Sequence, residues 1–124
     1  MIVELEQQGD ICLARFSGRL SAGSELEYLG AKGDEIKAMS STKLLADFTG
    51  VHSVGSTGIG FVVSLYTSAT KKPGGRFVLV GCKPRVLEVL HLTRLNTILP
   101  MADDVPAGLA YLRAKDAGAP ARRS

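Results

Sequence analysis

Three short stretches of the chain carry almost no polar alternation: Ile11-Cys-Leu-Ala-Arg-Phe16, Lys43-Leu-Leu-Ala-Asp-Phe48 and Arg76-Phe-Val-Leu-Val80. A strand with one wet face alternates polar and apolar side chains, so runs like these read as strands buried on both sides. Each must be covered by a layer above and a layer below, or have one face against something else. Helix-length segments lie between them. The pattern predicts an α/β (α+β) layer with a mixed sheet of four to five strands and about four helices.

Local signals place the remaining elements. Ile2-Val3-Glu4-Leu5 precedes the first run, and Gln8-Gly9-Asp10 supplies a turn, which predicts an opening hairpin. Ser24-Glu25-Leu26-Glu27 matches a capping box, with Leu26, Leu29 and Ile36 following at one-face helical spacing. Gly30 and Gly33 weaken that helix by about 1 kcal/mol each relative to alanine, so it needs tertiary support. Further on, Ile59, Val62, Val63 and Tyr66 mark one helical face, and Phe61 and Leu65 form a second stripe. A helix apolar on two sides is covered twice or waits for a partner. Pro73-Gly74-Gly75 breaks the chain, and Pro84 suits the first turn of a helix carrying Val86, Val89 and Leu90. Asp103 or Asp104 is placed to cap a last helix packing through Val105, Leu109 and Leu112. From Asp116 the sequence has no apolar periodicity, so residues 116–124 read as a loose tail on a single domain of residues 1–115.

Composition excludes several classes. At 124 residues the chain is long enough for a core without disulfide or metal staples. Met1-Ile-Val-Glu lacks a basic leader, and no apolar run approaches the roughly 18 residues of a bilayer span, so neither secretion nor membrane insertion is expected. Cys12 and Cys82 both fall in apolar strand-like runs without zinc or redox spacing. They read as buried thiols of a cytoplasmic protein that needs no metal and no cofactor. The net charge is +3, and the basic residues, Lys71-Lys72 among them, are scattered apart from Arg122-Arg123 in the tail. Trp is absent, and nucleic-acid binding is not expected.

The chemistry-bearing stretch is Phe48–Gly60, "FTGVHSVGSTGIG", in which Ser56 and Thr57 stand between Gly55 and Gly58 where a strand gives way to a helix. A nucleophile elbow needs Gly-x-Ser-x-Gly, but here the glycine directly precedes the serine. His52 and His91 are the only imidazoles; His52 reads as a loop or edge residue and His91 as part of the third helix. Enzyme catalysis is therefore not expected. A phosphate loop fits the spacing from Gly50 to Gly55 but lacks its lysine, whose place Ser56 takes. What survives is an amide-lined helix start able to receive an anion, with hydroxyls that another protein can modify.

The stretch "DFTGVHSVGSTGIG" resembles the signature of STAS domains, the anti-sigma factor antagonist family. Asp47, Gly50, Val51, Ser56, Gly58 and Gly60 fit that pattern, and Thr57 replaces its second serine. "FSGRL", "GGRFVLVG" and "PRVLEVLHLTRLNTILPMADD" are similar to further family elements, so the likeness reaches about Leu112. The resemblance implies a small domain that binds an anti-sigma factor, itself a serine kinase, and is released when Thr57 is phosphorylated. On this reading Gly55, Ser56, Gly58, Ile59, Phe61, Leu65 and Ser21 form the loop and docking surface around the acceptor.

Two positions depart from the family. Gly55 stands where an acidic residue usually precedes the paired hydroxyls, and Ser21 stands where an aspartate usually follows the Gly-x-Leu element. Both changes remove negative charge from beside the acceptor. A non-switching STAS scaffold or accessory subunit, in a stressosome-type or lipid-transport complex with other STAS proteins, is the alternative. Nucleotide or small-anion sensing at the Gly55–Gly58 turn is a third reading. Ser56, the nearer candidate for an N-cap, is expected to be structural.

Overall fold

The computed structural model describes residues 2–20, 26–39 and 41–114. In chain order the elements are β1 (Ile2–Gln8), β2 (Ile11–Leu20), α1 (Leu26–Ala38), β3 (Lys43–Val54), α2 (Ser56–Lys71), β4 (Arg76–Val80), α3 (Pro84–Leu92), β5 (Met101–Ala102) and α4 (Val105–Arg113). They build one five-stranded sheet whose spatial order is the chain order. β1 is antiparallel to β2, and β3, β4 and β5 then follow in parallel. The mixed sheet and four helices are those predicted. Ser21 and the capping-box residues Ser24 and Glu25 lie outside the described residues, as does the 116–124 segment.

The hairpin closes at Gly9, whose φ of 61° makes the turn. Asp10 then ties the turn to the next strand. Its carbonyl accepts from the amides of Thr42 and Lys43 at 3.1 Å each, and its carboxylate pairs with Lys43 Nζ at 2.8 Å. Along the outer edge, the Val3 amide donates to Tyr28 Oη at 3.0 Å, so α1 closes part of the β1 edge.

Two-sided burial is met as the sequence requires. One face presents Ala14, Phe16, Ala46, Phe48, Phe77 and Leu79 to Leu29 and Ile36 of α1, Val62 and Leu65 of α2, and Val86 and Leu90 of α3. The other face presents Ile11, Leu13, Leu45, Val78 and Val80 to α4, where Leu112 is fully buried. Burying a leucine contributes about 1.5–3 kcal/mol. The far end of α4 is held by Arg76, whose Nη1 donates to the carbonyls of Tyr111, at 3.1 Å, and Ala114. These are among the carbonyls a helix end leaves without partners.

Two sequence expectations change here. β3 does not stop at Phe48 but continues to Val54, because β2 also continues, to Leu20, and pairs with it. Cys82 lies in the loop after β4 and is only half-buried, because Gly81, with φ 71°, turns the chain out of the strand. Cys12 is buried as expected. Among the described residues no helix is long and apolar enough to cross a membrane.

Candidate functional site

β3 outruns β4. Its register with β4 ends at Asp47↔Val80, whereas its register with β2 continues to Leu20↔Val54. The extension from Phe48 to Val54 thus pairs as strand with β2 alone and carries the start of α2 beyond the rest of the sheet.

The residues that redirect β3 are those of its signature. Asp47 Oδ1 accepts from the Thr49 amide at 3.0 Å and from Thr49 Oγ1 at 2.6 Å. Such a side-chain turn takes an amide out of the strand ladder, and the register with β2 slips at this point, between Arg15 and Ser17. Gly50 follows where strands crowd: a β-carbon there would stand 3.0 Å from Ser17 Cβ and 3.1 Å from the Phe16 carbonyl. From the other side Gly81 passes over Thr49, and a β-carbon on it would lie 2.2 Å from Thr49 Oγ1. Lys83 Nζ, from the same loop, donates to the Thr49 carbonyl. Asp47, Thr49 and Gly50 therefore serve shape. The Asp-x-Thr spacing was the sequence signal for this turn; nothing local pointed to Lys83.

Because β3 reaches Val54, a single residue is left for the junction with α2. Gly55 occupies it as the N-cap, in extended conformation (φ −103°, ψ −171°) and without a capping side chain. Ser56 is therefore not the N-cap expected from sequence; it takes the first helical position, and Thr57 the second. The first helical hydrogen bond runs from the Ile59 amide to the Gly55 carbonyl at 2.9 Å. The amides of Ser56, Thr57 and Gly58 fall in the opening turn, where an α-helix has no acceptors of its own. No acidic side chain stands in that turn. About half a unit of positive charge gathers at such a terminus, so an anion is stabilised there. Since Leu20 lies opposite Val54, β2 and β3 end side by side.

The docking stripe expected on α2 is rotated. Leu65 is 1% exposed and belongs to the core, so it offers no surface to a partner. Phe61 is half-buried. Its ring meets Phe16 edge-on at 5.9 Å between centroids, and its Cε1 lies 3.3 Å from where a β-carbon of Gly33 would be. Ile59 is half-buried against the same core, and Gly58 is buried. Among the described side chains of α2 the exposed positions are Gly60, Ser64, Thr67, Thr70 and Lys71, and the helix carries no charge before Lys71. Sequence periodicity missed this stripe because both flanking stripes are apolar. His52 is exposed on the β3 extension; His91 is exposed on the last turn of α3, with Nδ1 3.2 Å from Asn96 Nδ2. Among the described residues no cluster of three or more His, Cys, Asp or Glu side chains could hold a metal.

The family model described as "STAS domain" matches residues 3–107. Among solved structures, an anti-sigma factor antagonist STAS domain protein from Planctomyces limnophilus is similar at 19% identity and TM-score 0.79, over 90% of this chain and 98% of its own. An anti-sigma factor antagonist from Mycobacterium paratuberculosis is similar at 22% identity and TM-score 0.74, over 91% and 94%. The Bacillus cell fate determinant SpoIIAA, solved in its phosphorylated form, is similar at 20% identity and TM-score 0.66, over 87% and 96%. At these identities the likeness is one of fold.

Proposed function

This chain belongs to the STAS domain family, and from that premise we propose that it is an anti-sigma factor antagonist-like regulator that binds a kinase-type anti-sigma factor and is switched off by phosphorylation of Thr57. The domain is the substrate of that transfer and not its catalyst. The observation that carries the reading is the start of α2: Thr57 holds the second helical position behind an N-cap with no side chain, at the end of a strand that projects past its neighbours.

The transfer step balances simply. A bond forms between Thr57 Oγ1 and the γ-phosphorus of ATP, the bridging β–γ bond breaks, ADP leaves, and the hydroxyl proton passes to a base on the kinase. The phosphate then stands beside the unpaired amides of the first turn and the positive end of the helix, an arrangement worth about 0.3–1 kcal/mol to the domain itself. Phosphorylation should therefore leave the fold intact. Release follows at the partner, where nearly two negative charges would enter a packed contact with no cation of this helix nearer than Lys71. The outward residues Gly60, Ser64 and Thr67, with half-buried Ile59 and Phe61 beside them, supply an uncharged surface for that contact.

Mass spectrometry after incubation with the cognate kinase and ATP tests the switch. A phosphate on Thr57 supports it, and an unmodified Thr57 beside a fully modified control antagonist overturns it. The second reading, a constitutive scaffold, draws on one observation: the first turn of α2 holds no carboxylate to orient the acceptor hydroxyl. For a scaffold, Thr57→Glu leaves partner affinity unchanged.

A further inference from the structure

The helices α1, α2 and α3 lie on one face of the sheet, and each leads from the end of one strand back toward the start of the next. Their carboxyl ends therefore line one rim, at the far end of α2 from Thr57. Beyond α3 the chain makes a knuckle before β5. Thr93 Oγ1 donates to the Val89 carbonyl at 2.9 Å, and Asn96 Nδ2 meets His91 Nδ1 at 3.2 Å. The Thr97 amide and Oγ1 both donate to the carbonyl of Arg94, at 3.3 and 2.7 Å. Leu99 is buried and Leu95 packs against the core, which anchors the knuckle from beneath. Fixed in this way, it still presents Leu92 at 79% exposure and Ile98 at 55%.

The charges on the rim narrow what can cover those two side chains. Lys37, Lys71 and Arg94 are exposed, and Lys72 is half-buried with its Nζ on the Ser41 carbonyl at 3.0 Å. Among the described residues none of the four pairs with a carboxylate. The acidic side chains of this region are Asp34 and Glu35 on α1 and Glu88 one turn before Leu92, and Glu35 is paired with Lys32 at 3.3 Å. The four cations thus outnumber Asp34 and Glu88, and the cover must be anionic. A second copy related by a two-fold axis through the knuckle would set Arg94 against Arg94. Two aliphatic side chains also fall far short of the about 800 Å² that each side of a specific protein complex buries. A bilayer asks for no matching shape: aliphatic side chains enter the acyl boundary while cations stay with the headgroups.

We propose that this rim adsorbs to an anionic phospholipid surface, with Leu92 and Ile98 entering the boundary between headgroups and acyl chains and Lys37, Lys71, Lys72 and Arg94 lying against lipid phosphates. The domain stays folded outside the bilayer and does not span it. The surface is separate from the start of α2 and independent of whether Thr57 is modified.

The test is co-sedimentation of the full chain with vesicles of phosphatidylcholine alone or of an equal mixture of phosphatidylcholine and phosphatidylglycerol. Binding is expected to the mixed vesicles and not to phosphatidylcholine alone, and it should weaken when salt rises from about 0.1 M to about 0.5 M. Leu92→Ser combined with Ile98→Ser should weaken binding at least tenfold, with an unchanged thermal melt because both side chains already face water. Arg94→Gly suits the left-handed φ of 62° and should weaken binding about fivefold without loss of stability. Thr57→Glu should bind vesicles as the unaltered chain does, so failure here and failure of the phosphorylation switch are read apart. No sedimentation with mixed vesicles at about 1 mM accessible lipid, ten times what a single weak anchor needs, would overturn the proposal. So would the double serine variant binding as tightly as the unaltered chain, or polyglutamate holding the chain as tightly as the vesicles, which would assign the rim to an acidic protein.

Discussion

Helices α2 and α4 begin in opposite ways. Asp104 caps α4, its Oδ1 accepting from the Ala107 amide at 3.0 Å, and Pro follows in the first turn. α2 begins at Gly55 with neither a capping side chain nor an acidic residue, and its position is set instead by the backbone around Asp47, Thr49 and Gly81. One terminus has a side-chain cap from within the chain; at the other the N-cap residue supplies none. A cap is worth about 1 kcal/mol; α4 has one, whereas α2, like α3 behind Lys83, begins without one.

The contrast can be broken at its strongest point by Thr57→Glu, a fixed negative charge at the open terminus. Partner affinity should fall about 100-fold or more, while the melting temperature stays within a few degrees; a pull-down and a thermal melt read the two. Next in size is Gly81→Ala, which strains a left-handed residue and drives a β-carbon into Thr49. A loss of about 2–3 kcal/mol is expected, measured by urea unfolding. Should that variant be as stable as the parent, the start of α2 does not depend on this crossing. Asp104→Ala should cost about 1 kcal/mol and lower the melting temperature by several degrees. An unchanged melt would erase the distinction between the two helices. The smallest effect sharpens it: Gly55→Ser supplies the missing cap and should stabilise the domain by a few tenths of a kcal/mol.

What could be read in the sequence was local. The hairpin follows from Gln8-Gly9-Asp10, the α3 start from Pro84, and the α4 start from the Asp103-Asp104 pair, because turns and caps act over a few residues. The three buried strands follow from their lack of alternation. The extension of β3 did not follow. Gly50, His52 and Ser53 look like loop residues, and they become strand only because the equally unpromising Ser17–Leu20 lies opposite. The facing of α2 was likewise hidden, since both of its stripes are apolar and packing decides between them. Leu65 goes in beside Val62, and Phe61 stays at the α1 border over Phe16. β5 is only Met101–Ala102, too short for any period to register. The place of Thr57 at a strand-to-helix junction was legible through a family signature, whereas the missing side-chain cap at that helix start needed coordinates.

The strand order carries a consequence for how the molecule is made. Since every strand neighbours the one synthesised before it, a nascent chain emerging from the ribosome can extend its sheet one ribbon at a time. No late segment has to be threaded between two earlier ones, which keeps the loops to be closed short and favours quick assembly. Growth then stops by itself. The last ribbon is two residues wide, too small a template for a stray chain to continue.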